Sequence, residues 1–339
     1  MRAAVTTRYG PPEVVEVREV PAPIPAANEV LIRVLGSSVC YGDRMFRSGP
    51  LLIRILTRFR VKHRILGVDL AGIVEAVGEK VTRFAPGDEV YGARGDKFAA
   101  HAEFACVPQD GFLAHKPASM TFEEAGTVFV GAVCSLYFLR KAKLVPGERV
   151  LIHGASGSLG VFAVQLAKHF GAHVTAVCSG RNADLMRSLG ADDVIDYTTR
   201  DFAAGGAVYD VIMDVLGQAG FPRSVRALKP AGRYLLVGFS GGPGTIARTL
   251  VSGGLVHLRG RARIITGAAA PTQADLVFLR QLIETGRLRT VIGRSHTLDE
   301  IVEAHRYAES GHKVGNVAVL IGGRACGPDS AVRQPSKSG

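Results

Sequence analysis

The sequence predicts an α/β protein in which a doubly wound parallel sheet follows a β-rich, turn-punctuated region. Three observations predict it. Short β-branched or alternating runs separated by Gly and Pro fill the chain up to Thr121, strands and helices alternate after it, and a glycine-rich turn joins an apolar strand to a helix in "LIHGASGSLGVFAVQLAK". At 339 residues the chain has room for roughly two domains of about 150 residues each.

In the first region "VVEVREV", "EVLIRVL", "AGIVEAVG" and "HAEFACVP" read as strands, parted by turns such as "YGPPE" and "APGDEVYG". The exception is "PLLIRILTRFRVKHRI", where Leu51, Leu52, Ile55, Leu56 and Phe59 recur at helical spacing and predict a helix or lid. Thr121, followed by two glutamates, caps a predicted helix that runs through "TFEEAGTVFVGAVCSLYFLRKAKL". Beyond it "RVLIHGA", "HVTAVCS", "DVIDY", "YDVIMDV", "GRYLLVG" and "ARIITGA" are strands, with helices through "LGVFAVQLAKHFG", "ADLMRSLG" and "RSVRALK". Their unbroken apolar character suits a sheet covered on both faces. "PTQADLVFLRQLIETG" is helical and "NVAVLIG" is a strand, whereas "SGGPGTIARTLVSGGLVHL" has no firm assignment. The expected organisation is a β-rich domain over 1–122, a domain of alternating strands and helices over 123–270, a segment that returns to the first domain over 271–322, and a disordered tail over 323–339.

Bulk composition excludes several classes. No apolar run reaches the ~18 residues of a membrane span, and "MRAAVTTRYG" lacks the apolar block of a signal peptide, so a cytoplasmic location is expected. Cys40, Cys106, Cys134, Cys178 and Cys326 stand singly, which supports neither a disulfide framework nor a structural zinc lobe. Lys and Arg number 41 against 30 Asp and Glu, and the surplus of 11 sits in two windows free of carboxylates, Arg44 to Arg64 and Val215 to Ala274. Such windows are a solvated basic surface or a site for a polyanion. Nucleic acid is disfavoured as partner because no helix-turn-helix, RNP or zinc-finger pattern accompanies the charge.

The glycine turn carries the chemistry. Gly154, Gly157 and Gly160, with Ala155, Ser156, Ser158 and Leu159 between them, stand where a strand enters a helix. There glycine allows the backbone to approach a diphosphate and the helix N-terminus offers amide groups to it. An NAD site places a carboxylate at the end of the second strand, but no acidic residue occurs between Glu148 and Asp184. "VCSGRN" offers Ser179, Arg181 and Asn182 instead, which suit a 2′-phosphate, so NADPH is the expected cofactor.

These segments, with "LGVDLAGIVEAVGEKVTRFAPGDEVYG" and "LGADDVIDY", resemble the medium-chain dehydrogenase/reductase superfamily over nearly all of residues 1 to 322, and within it the zinc-independent quinone oxidoreductase group. The group's signature fits from Gly147 through Lys168, except that Ser158 replaces the second of two adjacent glycines. The resemblance implies a Rossmann domain inserted into a GroES-like, partly open β-barrel substrate domain, with the nicotinamide in a cleft at their junction. It also implies cofactor contacts from Tyr197 at the 2′-phosphate and from Leu216, Val237, Gly238 and Phe239 toward the nicotinamide. Asn316, where this group often has Lys, is expected at the nicotinamide ribose or amide, and a homodimer through the strand at "ARIITGA" is expected.

Zinc-dependent members of the superfamily use a thiolate, a His and a carboxylate. This chain keeps Cys40 and Asp43, has Val68 and Asp69 where "GHE" would supply His and Glu, and has neither Cys nor His in "TVFVGA". One thiolate does not hold a catalytic zinc, so no metal is expected. "CYGD" also lacks the Asn of the "NPxD" segment common in zinc-free members. Tyr41 and Cys40 are therefore alternative proton donors or plain pocket walls, and Asp43 is a third candidate, read as structural through Arg44 or Arg47. His63 and His101 look isolated. The expected reaction is hydride transfer from NADPH to a small, apolar, electron-poor quinone or α,β-unsaturated carbonyl. The rivals are a dedicated enoyl or ketone reductase or alcohol dehydrogenase of specialised metabolism, and a cofactor-binding protein with weak catalysis and nucleic-acid affinity.

Overall fold

The fold comes from a computed structural model that describes residues 1–61, 64–95, 98–238 and 262–322. The unassigned stretch after Phe239, His63 and the tail from 323 lie outside the described residues. Contacts divide the chain into Met1–Phe129 together with the chain from Val291 onward, and Val130–Thr290.

In the first unit β1 (Arg2–Thr6) and β2 (Val15–Glu19) form an antiparallel pair. The long β3 (Glu29–Ser38) precedes α1 (Tyr41–Ser48) and α2 (Leu51–Leu56). After them come β4 (Asp69–Val77), β5 (Glu89–Ala93), β6 (Phe104–Pro108) and β7 (Phe112–His115), then α3 (Phe122–Ala125) and the start of α4 (Phe129–Lys141). Val30, Ile32 and Val34 alternate with less buried neighbours along β3 and pack with Leu70, Val74, Val90 and Leu113, as a period-two pattern requires.

The expected single helix from Thr121 is two. Thr121 Oγ1 accepts the Glu124 amide (3.1 Å) and Glu124 Oε2 accepts the Thr121 amide (2.9 Å), so the predicted cap forms. The helix then stops at Gly126, because the backbone there lies against β3: a Cβ on Gly126 would fall 2.5 Å from the Gly36 carbonyl carbon, and one on Gly36 would fall 2.1 Å from the Phe122 oxygen. The predicted helix at Leu51 is also shorter than its apolar spacing suggests. It ends at Leu56, and Arg58 and Phe59 adopt left-handed φ values of 52° and 58°.

The second unit holds β8 (Arg149–His153), α5 (Ser158–His169), β9 (His173–Cys178), α6 (Ala183–Ser188), β10 (Asp193–Asp196), β11 (Tyr209–Asp214), α7 (Phe221–Ala227), β12 (Leu228–Leu236), β13 (Ala262–Thr266) and α8 (Gln273–Glu284). All neighbouring strands run parallel, in the order β10-β9-β8-β11-β12-β13. This is the doubly wound Rossmann order, which reverses between β8 and β11 and opens a binding crevice at their carboxyl ends. α8, expected in the return segment from 271, belongs to this unit instead. Leu276, Leu279, Leu282 and Ile283 bury one of its faces, and Arg140 of α4 pairs with Asp275 and lies over the Phe278 ring.

The chain returns to the first unit as β14 (Ile292–Thr297), α9 (Ile301–Glu309) and β15 (Asn316–Leu320). β15 pairs antiparallel with the end of β3 (Ala318 with Ser38, Leu320 with Gly36), so both ends of the sequence share one GroES-like sheet, ordered β14-β15-β3-β4-β5-β7 with β6 on β3. The contact of Gly36 with α3 gives a test. Gly36→Ala is expected to cost about 2–3 kcal/mol, because backbone rather than a movable side chain must shift, and a urea unfolding midpoint measures the loss.

Candidate functional site

The cofactor half is built at the carboxyl ends of β8, β9, β11 and β12. Gly154 takes φ 81°, and the Gly154 and Ala155 amides donate to the Val177 carbonyl at 3.2 and 3.1 Å, tying the turn to β9. A Cβ on Gly160 would lie 2.4 Å from the Gly154 and Ala155 oxygens, which holds the turn tight against α5. Gly157 is the N-cap and offers no side chain to close the helix end. Ser156, Gly157, Ser158 and Leu159 are half-buried and Ala155 is buried beneath them. An open-ended helix start behind a side-chain-free turn fits a diphosphate, so these residues suit the dinucleotide that the motif implies.

At the end of β9, Ser179 is half-buried and Arg181 exposed. Asn182, expected to reach a 2′-phosphate, is instead buried and donates to Ser179 Oγ at 3.1 Å, so it positions that hydroxyl. Tyr197 is exposed, with its amide on the Cys178 carbonyl at 3.2 Å, and stands beside the same strand end. The sequence reading found no carboxylate here, yet strand pairing brings Asp196 opposite Cys178 and its Oδ2 close to Gly180. Asp196 is held below its ordinary value by the amide and hydroxyl of Thr198 and by the Gly180 amide, so its acceptors are taken by its own turn and by the chain that leaves β9.

Sequence reasoning missed Asp214, the fully buried last residue of β11. Its Oδ1 accepts amides from Leu216 (3.2 Å), Gly217 (2.8 Å) and Gln218 (3.2 Å), and its Oδ2 accepts the Ala219 amide (2.9 Å) and the Tyr234 hydroxyl (2.7 Å). Its carbonyl takes the amides of Val237 and Gly238 at 3.1 and 3.4 Å. One residue thus fixes both loops expected to face the nicotinamide. Leu216 is exposed over Gly154, Val237 and Gly238 are half-buried, and Phe239 lies outside the described residues. Burial alone would raise the Asp214 carboxyl, but His153, 3.4 Å away, with Tyr234 and the Ala219 amide, holds it below its ordinary value.

In the first unit the candidate catalytic residues lie at the start of α1. Asp43, a candidate catalytic residue in the sequence, is buried with both oxygens spent: Oδ2 accepts the Cys40 amide at 2.8 Å and Oδ1 the Gly67 amide at 2.7 Å. It positions Cys40 and Tyr41 rather than reaching substrate. The arginines expected to pair with it go elsewhere, since Arg44 and the buried Arg47 both bind Glu309. Tyr41 is 44% exposed at the first position of α1. Cys40 is half-buried, and burial of its sulfur with the carboxylates of Asp43 and Asp69 pushes the thiol well up, so it stays protonated.

Asp69 is buried and accepts the Ser38 hydroxyl at 2.5 Å. Val68 is aliphatic and Asp69 accepts the Ser38 hydroxyl, so Cys40 lacks beside it the three converging donors that a zinc ion needs. Among the described residues no group of three His, Cys, Asp or Glu is arranged for a metal. His101 is not isolated: it is buried, its Nε2 lies 3.0 Å from the Ser38 carbonyl, and its ring stands edge-on to buried His305 at 6.1 Å. Burial, then the charges of His101 and Arg47, keeps His305 neutral.

The return segment adds Lys313, which the sequence reading passed over. Its amine donates to the Gly315 carbonyl at 3.1 Å, and burial pushes it down to about 8 against the opposing influence of Cys40. Asn316, expected at the nicotinamide, donates from Nδ2 to the Val291 carbonyl at 3.2 Å and holds β15 to the chain entering β14. The geometry around Asp214 gives a test. Asp214→Ala is expected to destabilise by about 3–5 kcal/mol, because buried donors lose their acceptor. Asp214 has a lowered folded pKa, so its contribution is full above its ordinary 3.8 and fades as pH falls through the folded value; acid unfolding of Asp214→Asn therefore loses less stability below about pH 4 than the parent.

Comparison with known proteins agrees with both halves. Residues 26–148 match the family "Alcohol dehydrogenase GroES-like domain" and residues 189–319 match "Zinc-binding dehydrogenase". A quinone oxidoreductase of Pseudomonas aeruginosa is 32% identical over 92% of this chain and 97% of its own. An acryloyl-coenzyme A reductase of Metallosphaera sedula is 30% identical over 89% of this chain and 95% of its own. The solved structure of Escherichia coli quinone oxidoreductase complexed with NADPH superposes with a TM-score of 0.82 at 26% identity, covering 94% of this chain and 100% of that one. With its shared sheet built from both ends of the sequence and its Rossmann crevice, the chain belongs to the medium-chain dehydrogenase/reductase superfamily, as an oxidoreductase of the quinone oxidoreductase-like group.

Proposed function

We propose that the protein reduces a quinone or an α,β-unsaturated carbonyl with NADPH and without a metal. The observation that carries this reading is the set of groups around Cys40: Val68 is aliphatic, Asp69 accepts the Ser38 hydroxyl, and the buried Lys313 amine, pushed down to about 8, supplies a proton donor. Both relatives' names, a quinone oxidoreductase and an acryloyl-coenzyme A reductase, describe acceptors whose electron-poor double bond takes hydride directly.

When bound, NADPH supplies the hydride. The Gly154–Gly160 turn and the start of α5 hold the diphosphate, and Ser179, Arg181 and Tyr197 receive the 2′-phosphate. As negative charge develops on the carbonyl oxygen, the protonated Lys313 amine stabilises it and transfers a proton, while Asp43 keeps Cys40 and Tyr41 in place as walls. The electron-poor acceptor spares the site the Lewis acid that alcohol oxidation near neutral pH requires.

The reading is tested by initial rates of NADPH oxidation with a panel of quinones and enones in a chelator. Turnover that persists is expected; loss of turnover that zinc restores overturns it. Arg181→Ala is expected to raise KM for NADPH by about tenfold to a hundredfold and leave NADH kinetics unchanged. The Lys313 amine is protonated below about 8, so kcat is expected to be full below that pH and to fall above it. Lys313→Met is expected to lower kcat by about a hundredfold and to abolish this limb of the pH profile.

A further inference from the structure

Helix α2 and the turn after it turn apolar side chains outward. Leu51 is 69%, Ile55 54% and Phe59 67% exposed, which places three of the most exposed large apolar residues among those described within nine positions. Leu51 and Ile55, four apart, share a helix face. The opposite side is anchored. Arg54 donates to the Gly49 and Ser48 carbonyls at 2.6 and 3.1 Å and lies over the Tyr9 ring, while the Tyr9 hydroxyl contacts Thr57 Oγ1 and the Arg60 carbonyl, each at 2.7 Å. Two successive left-handed residues, Arg58 and Phe59, turn the chain at the helix end, a conformation that costs free energy for a side chain as large as Phe.

The segment that carries this patch has charge of one sign. Arg58, Arg60 and Arg64 are exposed, and no Asp or Glu occurs in the sequence between Asp43 and Asp69. An apolar ridge of Leu, Ile and Phe rimmed by arginines is the surface that enters a headgroup layer: the apolar side chains reach the acyl boundary and the arginines meet anionic lipid. We propose that Leu51, Ile55 and Phe59, with Arg58, Arg60 and Arg64, dock the protein on an anionic lipid bilayer. Nucleic acid accounts for the arginines alone and leaves the exposed apolar side chains without a role. The proposal is independent of the acceptor, because it concerns a surface and not the reacting groups.

Cosedimentation with vesicles tests it, using pure phosphatidylcholine against phosphatidylcholine containing about one third phosphatidylglycerol. Binding to the anionic vesicles alone is expected, weakening as salt rises. Two variants separate the contributions. Leu51→Ser/Ile55→Ser/Phe59→Asn is expected to lower partition about tenfold or more, since all three sites are exposed and Asn tolerates the left-handed φ of position 59. Arg58→Gln/Arg60→Gln/Arg64→Gln is expected to bring anionic binding down to the neutral level. Circular dichroism and melting temperature are expected to match the parent for both variants. Absence of parent binding to anionic vesicles, or binding that the apolar variant leaves intact, overturns the proposal. So do two other results in the absence of vesicle binding: retention on nucleic acid, or a drop in oligomeric mass of the apolar variant by light scattering, which would mark the ridge as a contact between copies.

Discussion

A carboxylate taken out of water must have its oxygens filled by donors, and this requirement organises a loop in each of the two units. Asp214 meets it with backbone amides from the loop after β11, the Ala219 amide and the Tyr234 hydroxyl. The loop cannot move without stranding the charge. Asp43 meets the same demand with the Cys40 and Gly67 amides, and so fixes the first turn of α1 against a distant loop. Neither residue is available to substrate, and each determines where the groups beside it stand.

Around Cys40, burial governs the ionisable groups of the first unit. Cys40 keeps the sulfur, but burial and two carboxylates keep it protonated, and Asp69 is committed to Ser38. The nearby amine of Lys313 is pushed toward neutrality by the same burial that disfavours a thiolate. Low polarity therefore shifts the proton affinities of both groups. Beyond Ser38 the ring of His101 stands edge-on to His305, which burial keeps neutral.

In the cofactor half the tightest constraint is steric. Gly160 sits where two carbonyl oxygens leave no room for a Cβ, which gives the turn between β8 and α5 its shape. The same kind of contact, between Gly36 and Gly126, breaks the helix expected from Thr121. Both follow from backbone meeting backbone. Only in the first does a local motif reveal the contact, because strand, turn and helix are contiguous in sequence.

That difference separates what the sequence by itself determined from what tertiary structure decided. Strands, most helices, the Thr121 cap and the glycine turn were legible because period-two and helical apolar patterns, capping chemistry and left-handed turns act over a few residues. The short α2, the broken helix at Gly126 and the placement of α8 with the cofactor unit were not, since each depends on what an element packs against. The same holds for the site. Gly154, Ser179 and Arg181 could be named as candidates from spacing, whereas Asp196 beside Gly180, Asp214 beneath its loop and Lys313 near Cys40 acquire their character from neighbours remote in sequence. Burial and hydrogen-bond partners set proton affinity, and those are properties of the folded chain.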